Sequence, residues 1–144
     1  MAVTAHPTAA WTAQQLRDAF PWDEAPRDVL PDRDHAFDGW ADPATAMGMD
    51  DLLTAPRSPW QHASVERFIG TVRRECLDHV IVFNATALQR LMHRYTAYDE
   101  RSRTHLSLDK DAPMPRPVAL STEGRIVAIP QVGGLHRRYE RHAT

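Results

Sequence analysis

Two acids stand out for the company they keep. Glu66 lies within Ser58-Pro59-Trp60-Gln61-His62-Ala63-Ser64-Val65-Glu66-Arg67-Phe68-Ile69-Gly70-Thr71-Val72-Arg73-Arg74-Glu75-Cys76-Leu77, and Asp32 follows the short apolar run Asp28-Val29-Leu30. A carboxylate at a strand end and a second on a helix flank suit the holding of a divalent cation on a phosphate ester. Hard cations take oxygen ligands, and two such ions can activate the attacking oxygen and stabilise the leaving one together.

The elements that must position this pair are readable locally. Ser58 is a favoured N-cap, Pro59 suits the first helical position, and Gln61 completes a capping box, so a helix is expected to start near Ser58. Val65, Ile69, Val72 and Cys76 then recur at helical spacing, a stripe expected to face the core. His62, Glu66, Gly70 and Arg73 share one flank beside it. Upstream, Thr12 and Gln15 form another capping box with Trp11 and Leu16 as a staple, and predict a short helix to about Phe20. Pro21 to Pro26 reads as a linker, Asp28 to Leu30 as a strand ending near Asp32, Gly39 to Gly48 as a weak helix, and Asp51 to Thr54 as another strand.

Downstream, Asn84 is placed to cap an amphipathic helix through Leu88, Leu91, Met92 and Tyr95. The segment Glu100 to Leu108 is polar and basic, and the prolines at 113, 115 and 117 predict an extended arm. Arg125 to Pro130 and Leu135 to Arg141 flank Gly133-Gly134, the layout of a β-hairpin. Trp60, Phe68 and Tyr95 are expected in the core.

Composition bounds the rest. At 144 residues and 42% apolar the chain is the size of one globular domain. No apolar run has membrane length, the N-terminus lacks a signal-peptide layout, and the lone Cys76 falls on the apolar stripe as a buried thiol. A cytoplasmic location is expected. Net charge is −2, but residues 1–55 carry −7 and residues 56–144 carry +5. Sixteen of the seventeen basic residues are arginine, the type that forks onto phosphate.

Strand, Asp, strand, and then a Pro-Trp-entered helix with Val-Glu-Arg-Phe-Ile-Gly-Thr-Val-Arg-Arg-Glu-Cys-Leu resembles the integrase core of DDE transposases from bacterial insertion sequences. Arg103-Thr104-His105-Leu106-Ser107-Leu108 is similar to the Arg-x-His-x-x-Leu segment that follows that core. The resemblance implies an α/β, RNase H-like fold, DNA as partner, a nucleoid-associated location when bound, and three acids holding two Mg²⁺ (or Mn²⁺) ions. Asp32 would be the second acid and Glu66 the third. Arg67, Arg73, Arg74, Arg101, Arg103 and His105 would contact DNA. The attacking group would be water for cleavage or a DNA 3′-hydroxyl for strand transfer.

The departures also set expectations. Only 31 residues precede Asp32, so the family's first strand and first acid are expected to be missing. Asp18, Asp23 and Asp28 are candidates for that acid by residue type alone. Asp34 competes with Asp32, and the spacing to Phe37 favours Asp32. Asp99-Glu100 stands where relatives often carry Tyr-Asn. The organisation expected is a partial catalytic core over 1–108, a Pro-rich linker over 109–124 and a hairpin tail over 125–144. Such a chain is expected not to cleave DNA alone, and to work with a second copy or a partner transposase chain. The alternatives are a non-catalytic DNA-binding or oligomerisation module, or a decaying gene fragment.

Overall fold

The computed structural model describes residues 2–21, 25–31, 34–52 and 62–143. Asp23, Asp32 and the cap proposed at Ser58 to Gln61 lie outside the described residues. The chain divides into two compact units, residues 2–65 and 66–144.

The first unit begins with helix α1, Ala9–Ala19. Its cap is Thr8, four residues before the expected Thr12, and the Thr8 side chain accepts from the Trp11 N–H at 3.2 Å. Thr12 is instead buried in the first turn, its hydroxyl donating to the Thr8 carbonyl. Two threonines stood four residues apart, and the one whose oxygen meets a free helical N–H became the cap. Strand β1, Asp28–Val29, pairs in parallel with β2, Asp50–Asp51, and helix α2, Ala41–Ala46, lies between them in sequence. A parallel pair needs such a crossover. Leu16, Ala44 and Met49 form the buried centre, with Phe20, Val29 and Trp40 packed against it.

The second unit is built on two helices and a hairpin. Helix α3 spans Ala63–Glu75 and crosses the boundary between the units, and α4 spans Ala85–Arg101. Asn84 caps α4 as expected, its side chain accepting from the Ala87 N–H at 2.8 Å. The helix runs further than the sequence suggested and takes in Asp99, Glu100 and Arg101. Residues 115–120 have no regular structure. Strands β3, Arg125–Gln131, and β4, His136–His142, form the antiparallel hairpin. It is no loose tail, since β3 and the turn that follows it pack on α4.

Val72, Cys76, Tyr95 and Val132 are the buried centre of this unit, joined by Leu77, Leu91, Met92 and Tyr98. The hairpin turn passes through Val132, Gly133 and Gly134 with φ of 50°, 68° and 97°. Two glycines accept that geometry freely, whereas a β-branched residue does not. Val132 is held there because its side chain fills the core beside Tyr95. At the other end of the hairpin Gly124 has φ of 110°, and a Cβ there would collide with the His142 carbonyl.

The expected stripe on α3 is half right. Val72 and Cys76 are buried, but Val65 is 54% exposed, Ile69 55% and Phe68 38%. The apolar period is continuous, while the packing partners of unit 66–144 gather only at the C-terminal half of the helix.

Candidate functional site

Glu66 sits in the first turn of α3 and Arg73 and Arg74 in the last. This order matches the helix dipole, which favours negative charge at the N-terminus and positive charge at the C-terminus. Two histidines close the C-terminal end: Nε2 of His79 meets the Arg74 carbonyl at 2.9 Å and Nε2 of His136 meets the Glu75 carbonyl at 2.8 Å. A carbonyl only accepts, so each of those nitrogens carries the proton.

The Glu66 carboxylate is exposed and makes no hydrogen bond or ion pair to another described residue. Gly70 lies one turn further on, and the guanidinium of Arg74 folds back over it, with Nη1 3.0 Å from where a Cβ of residue 70 would stand. A side chain at position 70 would crowd that pose. Glu66, Gly70 and Arg74 therefore form one line along α3 with an acid at one end and a cation laid toward it. Arg67, Arg73 and Arg101 are exposed, and Arg73 makes only a long 3.7 Å ion pair with Asp78. Glu66 by itself offers one carboxylate, a ligand of the type that hard divalent cations take. Among the described residues no group of three or more His, Cys, Asp or Glu side chains is placed to hold one.

Arg103 and His105 are engaged within the chain. The Arg103 fork grips Glu75 with Nη2 to Oε1 at 2.6 Å and Nε to Oε2 at 2.8 Å, and its Nη1 lies 3.5 Å from Asp99. Nε2 of His105 sits 3.3 Å from the Asp99 carbonyl, and its backbone bridges to Asp111. The Tyr95 hydroxyl donates to Glu75 Oε2 at 3.2 Å, and the His136 ring stacks on Tyr98 with centroids 4.5 Å apart. One residue, Glu75, thus ties the elements together, its carboxylate holding α4 and the Arg-x-His segment to α3 and its backbone carbonyl holding the hairpin.

Electrostatics follow from that knot. Burial alone pushes the Glu75 carboxyl up, but the hydrogen bonds and charge of Arg103, with the Tyr95 hydroxyl, outweigh it and leave the group below its ordinary 4.5. Burial and the charges of Glu75 and Asp99 push the Tyr95 phenol well up, and burial raises the Cys76 thiol. Because the folded pKa of Glu75 is depressed, its contribution to stability is present above pH 4.5 and is lost as pH falls through the folded value. Unfolding free energies measured by urea between pH 6 and pH 3 should fall more gently in Glu75→Gln than in the parent chain. An unchanged acid slope would contradict this.

Sequence reasoning missed Glu75 as a centre. It stands 28 residues from Arg103 and 61 from His136, and no local period links such positions.

Residues 47–113 match the family model described as an integrase core domain. The match covers just under half of the chain and supports an integrase/transposase-type core over that segment. It contains Glu66 and the Arg103 to Leu108 segment, begins after Asp32 and ends before the hairpin. No curated protein and no solved structure matches the chain. Helices and strands are mixed as expected, and no helix among the described residues is long and apolar enough to cross a membrane.

Proposed function

We propose that this chain carries an RNase H-like integrase core that acts on DNA, with Asp32 and Glu66 as the carboxylates that hold Mg²⁺ or Mn²⁺. The observation that carries the reading is the position of Glu66: an exposed carboxylate in the first turn of α3, inside the integrase-core match, with the Arg74 guanidinium lying over Gly70 on the same helix. The metal, when bound, supplies Lewis acidity to the attacking and leaving oxygens of a phosphodiester. Glu66 presents oxygen ligands to it, and Arg67, Arg73 and Arg74 grip the flanking phosphates, with Arg101 adding charge. Arg103 and His105 act as positioning residues, fixing the segment through Glu75 and Asp99 rather than touching DNA.

Binding of duplex DNA is expected to be insensitive to sequence and to weaken steeply with salt, since phosphate contacts release counterions. Anisotropy titrations over a salt series check this. The paired change Arg73→Gln and Arg74→Gln should make the log–log slope shallower by about 1 per arginine. A flat response in the parent chain would mean these arginines are only solvated surface. The chain alone is expected to bind DNA without nicking supercoiled DNA in Mn²⁺, and nicking that Glu66→Gln abolishes would overturn that expectation.

A further inference from the structure

The β3–β4 hairpin has a face that neither the core nor the α3 surface uses. Alternate residues of a strand point to opposite sides, and the register pairs Ile126 with Arg141, Ala128 with Tyr139 and Pro130 with Arg137 on one side. The other side carries His136, whose ring stacks on Tyr98 and bonds the Glu75 carbonyl, so that side faces inward. On the outer side Tyr139 is 60% exposed and Arg137 is exposed with no ion pair to another described residue. Arg141 donates from Nη1 to the carbonyls of Gly124 and Ser121, bonds that hold the side chain without neutralising it.

No acid lies on this face. Glu140, the acid of β4, is on the inner parity, where it pairs with Arg138 at 2.7 Å. Along β4 the outer face therefore reads cation, aromatic, cation, at steps of about 6.8 Å. Across from it Ala128 and Pro130 are small, which leaves the Tyr139 ring open to approach. Cation, aromatic and cation at a regular step, the row suits a polymer that alternates anions with unpaired π-faces. A duplex offers the anions but keeps its bases stacked, whereas a single strand offers both.

We propose that the outer face of the hairpin binds single-stranded nucleic acid, with Tyr139 stacking on a base and Arg137 and Arg141 lying on the phosphates either side. The site lies outside the segment that matches the integrase core and is separate from the α3 arginines, so the two can fail independently.

The test uses the whole 144-residue chain and a fluorescent oligothymidylate, beside a blunt duplex. Tyr139→Ala should weaken oligothymidylate binding about tenfold and leave duplex binding within twofold. Arg137→Gln should make the single-strand salt slope shallower by about 0.7. Both positions are exposed, so unchanged circular dichroism and melting are expected, and Tyr139→Phe should keep the affinity. Single-strand binding that survives Tyr139→Ala, an equal loss on duplex, or equal displacement by polyglutamate would each overturn the proposal. If Arg73→Gln with Arg74→Gln spares duplex binding while the Tyr139 effect persists, the hairpin site stands and the α3 surface falls.

Discussion

Tyr95→Ala should lower the unfolding free energy by about 3–5 kcal/mol, the usual cost of removing a buried aromatic ring. The side chain is fully buried, touches the core at Val72, Cys76 and Val132, and gives its hydroxyl to Glu75. Its loss removes the ring that α3, α4 and the hairpin turn share. Tyr95→Phe keeps that ring and removes only the hydrogen bond, so about 1 kcal/mol is expected. Since domains hold only about 5–15 kcal/mol in all, the alanine variant should sit near its unfolding threshold at room temperature. Urea titrations of the two variants check this. Equal losses would mean the hydroxyl, not the packing, is what matters at this position.

Arg103→Leu is the second large effect, with an expected cost of about 2–3 kcal/mol. Breaking a fully buried ion pair costs about 3–5 kcal/mol, and this pair keeps some solvent access, with side chains 25% and 33% exposed, which lowers the figure. Most of the cost is the Glu75 carboxylate left facing Asp99 and the Tyr95 hydroxyl without its cation. Arg103→Lys should recover little, because an ammonium cannot reproduce the two-pronged contact. Changing Glu75 and Arg103 together to apolar residues should cost less than the two single changes added, and strictly additive losses would refute the coupling.

The knot explains what the sequence could and could not disclose. Asn84 and the Leu88, Leu91, Met92, Tyr95 period are local signals, and α4 formed where they pointed. Gly133-Gly134 marked the hairpin turn for the same reason, although Val132 joining them at positive φ reflects tertiary packing that overrides a steric preference. At α1 the capping-box pattern pointed to Thr12, whereas the cap is Thr8, whose side chain accepts the Trp11 N–H while the Thr12 hydroxyl donates to the Thr8 carbonyl. The apolar period of α3 was legible, yet it does not say which half finds a partner: Val72 does and Val65 does not. Glu75 looked like one more charge at a helix end. Its meaning depends on Arg103 and His136, which only the fold brings near.

Binding of Mn²⁺, followed by the loss of the free-ion signal in electron paramagnetic resonance, tests the central claim without requiring turnover. Replacing groups that merely orient a ligand costs about 10–100-fold in metal affinity, so losing a ligand should cost at least about tenfold. Glu66→Gln and Asp32→Asn should each do so, while Asp18→Asn and Asp34→Asn leave binding unchanged. Full Mn²⁺ affinity in Glu66→Gln would contradict the account.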